Sequence, residues 1–452
     1  MFKINELLKA AGGSLIQGHS AKELSGISID SRTIRPGEGF IAVKGNNFDG
    51  HDFIAEAIRK GARAIIRRGH PSLSYPKGVA VILVKDTLKA LTDIARFHRN
   101  KFDIPVVAVT GSNGKTTTKD MISRVLAEKF NILKSEGTKN NRIGLSLALL
   151  KLNKEHKIAV LELGTNHFGE IEHLTKVASP NIAVITNIGP AHLEFLGDLN
   201  GVFREKYTLV KNLKSPHIAI LNRDDKLLEK EILKKSRKPF VLGFGIERKG
   251  DFSASGIKDS LGRINFRVNK KYKFTLNTLG DYNIYNALAA IAAGRLFSMS
   301  YKDIAKSLSG FTFPKSRLNL VELNRVKFID DTYNANPFSL AQALIALDKL
   351  DVKGRKIVVM GDMLELGSRE ETFHSKAGRQ IQRVCDCFIS VGRLSKLAAE
   401  SAKNFGLRPS RIFSCAKPRQ ARDILFKRLG ATEGDVVLVK GSRAMKMEQV
   451  FT

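Results

Sequence analysis

Cysteine, acidic residues and long apolar runs are all scarce in this 452-residue sequence. The three cysteines, Cys385, Cys387 and Cys415, lack the paired spacing of metal ligands, which argues against a zinc site and against a disulfide framework. Apolar runs such as residues 435–440 have the length of a strand and not of a membrane span. Residues 1–9 predict an amphipathic helix without the apolar core of a secretion signal, so we expect a cytoplasmic protein with reduced thiols.

The shortage of acidic residues leaves a large positive charge. Lysine and arginine number 75 against 44 aspartates and glutamates, which gives a net charge of +31. The basic residues are spread along the chain and no recognisable nucleic-acid-binding module accompanies them, so we expect no nucleic-acid partner. A solvated basic surface, an acidic small-molecule substrate or a bias of the whole source proteome would each explain the charge.

Internal repeats, low-complexity tracts and long linkers are also absent from the sequence. At about 150 residues per domain, the length predicts three closely packed domains joined by short hinges. Changes in pattern place these domains at residues 1–101, 102–312 and 313–452, and we expect α/β folds throughout. A helix at 86–100 is the predicted connector between the first two domains.

Short apolar runs alternate with helical patterns in the second and third domains, which is typical of doubly wound, mainly parallel sheets. The second domain adds an alternating antiparallel hairpin, and the third has the pattern of a Rossmann-like nucleotide fold. The predicted strands are residues 104–109, 158–163, 182–186, 218–221, 240–244, 263–268 and 272–276, followed by a helix at 284–293 and by strands at 318–323, 326–329, 356–360, 387–391, 411–413 and 436–439.

A glycine-rich turn follows the first strand of the second domain and leads into a helix. Backbone N–H groups freed by Gly111 and Gly114 can point at a polyphosphate, while Lys115 adds positive charge and Thr116 can reach a magnesium ion. Val109 stands where the general pattern G-x-x-x-x-G-K-[ST] has its first glycine. The turn therefore predicts nucleotide phosphate binding by Thr110, Gly111, Ser112, Asn113, Gly114, Lys115, Thr116 and Thr117.

Three further polar residues follow in the same domain. Glu162 comes at the carboxyl end of a predicted strand, where ligands of doubly wound sheets gather, and a carboxylate beside phosphates needs a cation such as magnesium. His192 follows the next strand of this edge, whereas spacing alone leaves Lys206 as a surface lysine. A strand-end glutamate in a salt bridge and a solvated loop histidine are the structural alternatives.

Together with Gly280-Asp-Tyr-Asn-Ile-Tyr-Asn286, these residues resemble the Mur ligases of peptidoglycan synthesis. The resemblance covers essentially the whole chain and includes Asp30-Ser-Arg32, Phe48-Asp-Gly-His-Asp-Phe53, Asp330-Asp-Thr-Tyr-Asn-Ala-Asn-Pro337, Gly361-Asp-Met-Leu-Glu-Leu-Gly367 and Lys440-Gly-Ser-Arg443. It implies an ATP-dependent amide ligation that adds D-alanyl-D-alanine to the peptide carboxylate of a UDP-linked muramoyl tripeptide through an acyl phosphate. The expected protein is a monomer.

The resemblance also implies roles for the residues around the glycine-rich turn. Lys115 would neutralise the β- and γ-phosphates of ATP. Thr116 and Glu162 would hold one magnesium ion, and His192 would help to hold a second. The lysine that matches Lys206 is carbamylated by carbon dioxide in this family, which converts a cation into an anionic oxygen ligand for magnesium.

Residues outside the turn are implied to complete both substrate sites. Arg317 and Asp331 of the third domain would reach the γ-phosphate and the ribose hydroxyls after the domains close. Asn283 and Asn286 match the adenine-side motif, in which Tyr282 replaces the histidine commonly found. The residues expected to bind the UDP-linked substrate are Ser31, Arg32, Asn46, Asn140, Asn141, Thr165 and His167.

Four alternatives stand beside this interpretation. The family member that adds the third amino acid of the peptide commonly shows an Asp-Asn-Pro-Arg motif, which this sequence lacks. Folylpolyglutamate synthase shares the central fold but would lack the uridine-binding first domain. A nucleic-acid-dependent ATPase would explain the charge, and a catalytically silent scaffold would keep the nucleotide site for regulation alone.

Overall fold

The computed structural model describes residues 2–45, 48–69, 75–234, 238–260 and 262–452. Its strands form three main sheets and one small ribbon, and each main sheet draws its strands from one of the three expected domains. The boundaries after residues 101 and 312 stay predictions. None of the helices in the described part of the chain is long and apolar enough to cross a membrane.

The amino-terminal part contains a five-stranded sheet with the order β2-β7-β6-β5-β4, in which β2 alone pairs antiparallel. The helix predicted at residues 1–9 begins only at Ile4, because Phe2 and Lys3 pair with a second short strand. The predicted connector is confirmed as a helix, and the side chain of Asp86 caps it. The elements are β1 (Phe2–Lys3), α1 (Ile4–Ala11), β2 (Ser14–Gln17), β3 (Glu23–Leu24), β4 (Ile27–Ser28), β5 (Gly39–Ile41), α2 (Ile54–Arg59), β6 (Ala64–Arg67), β7 (Ala80–Leu83) and α3 (Thr87–Arg99).

The middle part contains a nine-stranded sheet with the order β16-β15-β14-β13-β12-β11-β8-β10-β9. Pairing is parallel from β9 to β14 and antiparallel in the added hairpin, as predicted. The elements are β8 (Val106–Thr110), α4 (Lys115–Ala127), β9 (Ile132–Lys134), α5 (Arg142–Leu149), β10 (Ile158–Glu162), α6 (Glu170–Ala178), β11 (Ile182–Ile185), α7 (Leu193–Leu196), α8 (Leu199–Lys211), β12 (Ile218–Asn222), α9 (Lys226–Leu233), β13 (Phe240–Gly245), β14 (Phe252–Ser260), β15 (Arg263–Val268), β16 (Tyr272–Leu276), α10 (Asn283–Leu296) and α11 (Tyr301–Ser309).

Alternation along the central strand explains why this sheet is covered on both faces. In β8, Val106 and Ala108 belong to the core shared with α3, whereas Val107 and Val109 belong to the core under α4 and α10. The strand predicted at 104–109 starts later, because Pro105 has no N–H to donate to a neighbouring strand. The strands β9 and β14 were not predicted.

The carboxyl-terminal part contains a six-stranded sheet with the order β17-β18-β22-β19-β20-β21, parallel except for β17. Its two faces form separate cores, so the Rossmann-like prediction is confirmed. Cys385, Cys387 and Cys415 are free thiols. The elements are β17 (Asn319–Leu323), β18 (Val326–Asp331), α12 (Pro337–Asp348), β19 (Lys356–Gly361), α13 (Glu370–Gln382), β20 (Cys387–Val391), α14 (Ser395–Asn404), β21 (Ile412–Cys415), α15 (Pro418–Asp423) and β22 (Val436–Lys440).

Candidate active site

A cavity of about 790 Å³ lies between the carboxyl edge of the nine-stranded sheet and loops of the six-stranded sheet. The strands β11, β8 and β10 are direct neighbours and run parallel, so the loops that follow them open at one edge. The predicted site residues that line this cavity are Ser112, Asn113, Gly114, Lys115, Thr116, Thr117, Asn140, Asn141, Glu162, Thr165, His192, Asn283, Asn286, Arg317 and Asp331.

The turn after β8 has a shape that requires glycine at two positions. Gly111 has φ +147° and Gly114 has φ +80°. A Cβ on Gly111 would lie 1.9 Å from the Thr186 hydroxyl oxygen, and one on Gly114 would lie 2.4 Å from the Asn286 amide oxygen. The Thr186 hydroxyl also donates to the Asn113 carbonyl at 2.5 Å, so it is held against the turn. The turn is therefore rigidly seated.

We expect Gly111→Ala to destabilise the protein by about 3–5 kcal/mol, because positive φ and a steric clash act together. Gly169→Ala is the matched control, since Gly169 also has positive φ but has open space where a Cβ would point. Its expected cost is only about 1–2 kcal/mol. Urea unfolding midpoints of the two variants measure the difference. Equal shifts would show that the contact with Thr186 has no energetic weight.

Lys115 begins α4 and folds back over the turn. Its Nζ donates to the carbonyl oxygens of Gly111 at 2.8 Å and Ser112 at 3.1 Å. Burial, aided by the nearby charge of Arg317 and opposed by Glu162, lowers the pKa of Lys115. A lysine held at the helix amino terminus adds to the positive potential that attracts phosphate.

Glu162 ends β10 and is 1% exposed. Its Oε1 accepts a hydrogen bond from the Asn140 side-chain amide at 2.7 Å, while its Oε2 is buried and has no partner among the described residues. A buried carboxylate oxygen without a partner costs free energy unless a cation approaches it. Magnesium prefers oxygen ligands of this kind, so the site fits a magnesium ion.

Lys206 lies on α8 and is fully buried, so the prediction of a surface lysine from spacing alone was wrong. Its Nζ has no hydrogen-bond partner in the described part of the chain. The neighbouring Glu205 instead accepts from the backbone N–H groups of Gly169 and Ile171 at 2.9 and 2.7 Å. Burial, together with the charge of Lys115, lowers the pKa of Lys206 well below its ordinary value. The side chain is therefore a neutral amine near neutral pH.

His192 lines the cavity and contacts the six-stranded sheet's segment across it. Its Nδ1 lies 2.5 Å from Oε2 of Glu365. This hydrogen bond holds the pKa of Glu365 below its usual range. Glu365 belongs to the 361–367 motif, but sequence analysis assigned it no role because its partner lies 173 residues away.

Two other side chains of the carboxyl-terminal part touch the glycine-rich turn directly. Arg317 donates to the Thr116 hydroxyl at 3.1 Å, and its guanidinium lies 4.2 Å from the centre of the Tyr333 ring. Asn336 donates to the Asn113 side-chain oxygen at 2.8 Å. The carboxyl-terminal part thus closes over the turn, as predicted for Arg317, whereas sequence analysis missed Asn336.

Asp331 and Lys440 form a buried ion pair on adjacent strands. The two residues are register partners in β18 and β22, and their side chains meet at 2.5 Å. Burial raises the pKa of Asp331, while the Lys440 charge opposes this effect. Lys440 also donates to the Asn334 carbonyl at 3.0 Å. Sequence analysis placed Lys440 in a motif but did not predict the pair.

Asn283 and Asn286 are buried at the start of α10. Asn286 donates to Asn283 at 3.0 Å and accepts from the Thr118 hydroxyl at 3.0 Å, which ties α10 to α4. No side-chain cap starts α10, although Tyr282 stands at the cap position. The two asparagines therefore do not act as helix caps, and Tyr282 lines the cavity beside Asn283 and Asn286.

The predicted uridine-site residues do not line this cavity. Ser31 donates to the Glu56 carboxylate at 2.7 Å. Arg32 is exposed and forms two hydrogen bonds with Asp30, at 2.9 and 2.8 Å. Asn46 lies outside the described residues. The amino-terminal calls therefore stay predictions of a separate subsite.

The other residues predicted for the UDP-linked substrate lie near the middle sheet's edge. Asn141 accepts from the Gly144 N–H at 2.9 Å and caps α5. Thr165 donates to the His167 carbonyl at 2.8 Å. The His167 ring is exposed and lies 4.2 Å from the Phe195 ring, outside the cavity lining.

Comparisons with known proteins agree with this architecture. Three family models match: "Mur ligase family, catalytic domain" at residues 23–99, "Mur ligase middle domain" at 109–294 and "Mur ligase, glutamate ligase domain" at 316–443. The UDP-N-acetylmuramoyl-tripeptide--D-alanyl-D-alanine ligase of Bacillus subtilis is 36% identical over 94% of this chain and 92% of its own length.

Solved structures show the same similarity. A crystal structure of MurF from Acinetobacter baumannii is 31% identical with a TM-score of 0.89, covering 99% of this chain and 97% of that one. MurF ligase from Thermotoga maritima in complex with ADP is 33% identical with a TM-score of 0.81, covering 94% and 95%. With sequence and structure matched over nearly its whole length, the chain belongs to the Mur ligase family.

Proposed function

We propose that this chain is an ATP-dependent amide ligase that joins D-alanyl-D-alanine to UDP-N-acetylmuramoyl-tripeptide. The products are the UDP-linked pentapeptide, ADP and phosphate. The observation that carries the proposal is the cavity in which the glycine-rich turn meets the unpartnered carboxylate oxygen of Glu162. The relative from Bacillus subtilis is named for this reaction, and the ADP complex of the Thermotoga relative supports ATP as the nucleotide.

The chemistry explains why such a site needs positive charge. A carboxylate is a poor electrophile, so the substrate carboxylate first attacks the γ-phosphorus of ATP, which releases ADP and leaves an acyl phosphate. The dipeptide amine then attacks the acyl carbon, and phosphate leaves from the tetrahedral intermediate. Most of the catalysis is positioning and charge neutralisation. We assign the neutralising charges to Lys115 and Arg317.

The oxygen ligands around the turn fit magnesium. Glu162 and Thr116 would hold one ion together with phosphate oxygens, and His192 with a carbamate on Lys206 would hold a second. Bound magnesium would neutralise phosphate charge and polarise the γ-phosphate. The buried Glu162 oxygen without a partner supports this assignment.

We further propose that Lys206 carries the carbamate. The lone pair of a neutral lysine amine attacks carbon dioxide, a nitrogen–carbon bond forms and one proton leaves, which yields an anion. A fully buried amine without a hydrogen-bond partner is costly as it stands. Carbamylation would give the side chain oxygen atoms that can bind magnesium.

The remaining residues would bind the rest of the two large substrates. Asp331 is assigned to the ribose, and the adenine to the side of Asn283, Asn286 and Tyr282. The uridine nucleotide is assigned to segment 1–101, ATP to segment 102–312 with Arg317 and Asp331, and the dipeptide to segment 313–452. We propose a cytoplasmic monomer. The residues assigned to the UDP-linked substrate are Ser31, Arg32, Asn46, Asn140, Asn141, Thr165 and His167.

The test is ATP-dependent phosphate release with two substrate pairs. We expect turnover with UDP-N-acetylmuramoyl-tripeptide plus D-alanyl-D-alanine, and none with the UDP-linked dipeptide plus a diamino acid. Turnover with the second pair alone would assign the chain to the ligase that adds the third residue. A requirement for nucleic acid would refute both assignments.

A further inference from the structure

A second cavity, of about 420 Å³, adjoins the proposed active site. Leu199 lines both cavities, and Leu193 of the smaller one directly follows His192 of the larger one. Its size falls within the range of about 300–1,000 Å³ that small-molecule sites show. None of the roles assigned above uses it.

One wall of this second cavity is apolar. Pro190 and Leu193 come from the loop after β11, and Phe373 comes from the first turn of α13. Phe373 packs against the small core of Leu193, Leu196 and Val202, which fixes the wall in place. Such a surface suits small apolar groups such as methyls.

The opposite side is basic. Arg369, Thr372 and Lys376 lie three and four residues apart, so they share one face at the start of α13 with Phe373 between them. All three are exposed, and in the described part of the chain neither cation has an acidic partner. The nearby Arg393, by contrast, pairs with Glu370. Two free cations above an apolar wall suit a carboxylate whose substituent is small and apolar.

Contacts between the two walls hold the second cavity together. The Glu194 N–H donates to the Glu365 carbonyl at 3.4 Å, and a Cβ on Gly367 would lie 3.1 Å from the Glu194 Cα. The His192–Glu365 hydrogen bond lies at the same junction. The cavity therefore exists only where the loop after β11 meets the segment before α13.

We infer that this second cavity binds the carboxyl-terminal residue of the incoming dipeptide. The inference rests on the function proposed above and deepens it. The terminal carboxylate of D-alanyl-D-alanine pairs with Arg369 and Lys376, and its methyl group packs on Leu193 and Phe373. The dipeptide amine then extends past Leu199 toward the large cavity, where the acyl phosphate is attacked.

Steady-state kinetics of the double variant Arg369→Ala/Lys376→Ala test this inference. We expect KM for D-alanyl-D-alanine to rise by about tenfold or more, with kcat and the KM values for ATP and UDP-tripeptide within about twofold of the wild type. Thr372→Glu should act in the same direction, because it adds a negative charge beside the bound carboxylate. Arg383→Ala is the matched control, since it removes an exposed cation at the other end of α13.

The amide D-alanyl-D-alaninamide separates charge recognition from general damage. The wild type should use it about tenfold less well than the acid, whereas the double variant should use both alike. An unchanged dipeptide KM, preserved discrimination, or a raised KM for the UDP-tripeptide alone would overturn the inference. A wild type that never uses D-alanyl-D-alanine would overturn the proposed function itself, which is a distinct result.

Discussion

Lys206→Ala is expected to lower kcat by about 10²–10³-fold, the loss typical of removing one preorganised group that stabilises developing charge. The reason is that alanine cannot carry the proposed carbamate, so a magnesium ligand is lost. Lys206→Arg should fail equally, because a guanidinium stays charged and does not form a carbamate. Phosphate release with the tripeptide and dipeptide substrates measures both variants.

Two controls separate this loss from misfolding. Lys206→Met removes a buried nitrogen that has no partner in the described structure, so its unfolding midpoint should be no lower than that of the wild type. Lys211→Ala removes an exposed lysine from the end of the same helix and should leave the rate unchanged. Depletion of bicarbonate should slow the wild type, and its return should restore the rate. Full activity of Lys206→Ala would remove the residue from the mechanism.

Glu162→Gln is expected to lower kcat by about 100-fold and to raise the magnesium concentration needed for half-maximal rate. Glutamine keeps the shape of the side chain and an oxygen that can accept from Asn140, but it loses the negative charge. The Oε2 atom that now has no partner in the described structure is the one proposed to face the cation. A magnesium titration of phosphate release measures both effects.

Glu172→Gln is the matched control for this substitution. Glu172 is an exposed residue of α6 that pairs with Lys176, so neutralising it should change neither the rate nor the magnesium requirement. If Glu162→Gln kept the wild-type magnesium dependence, Glu162 would be a structural partner of Asn140 and not a metal ligand.

Much of the fold was predictable because each element is encoded locally. Alternating burial along β8 and the capping aspartate before α3 need no distant partner, and the strands at 263–268 and 272–276 were found with their true bounds. Two strands were missed, β9 and β14. The first is only three residues long. The second continues into a region that pairs parallel on one side and antiparallel on the other, which no local pattern reveals.

The site divides in the same way. The glycine-rich turn and Glu162 could be predicted because strand ends and helix starts order them along the chain. Lys206 could not, since the pattern of α8 cannot show that the side chain lies fully buried under neighbouring elements. Asn336 and Glu365 were missed because their partners lie 223 and 173 residues away in the sequence.

By itself, the sequence determined the three α/β segments, the phosphate-binding turn and the likeness to the Mur ligases, since local propensity and short motifs act over a few residues. Only the tertiary structure decided which charges are left without partners. Burial and long-range contacts isolate the Glu162 oxygen and the Lys206 amine, while Arg317 and Asn336 are brought onto the turn. Desolvation and ion pairing depend on everything that surrounds a group, so they follow from the whole fold and not from any one segment.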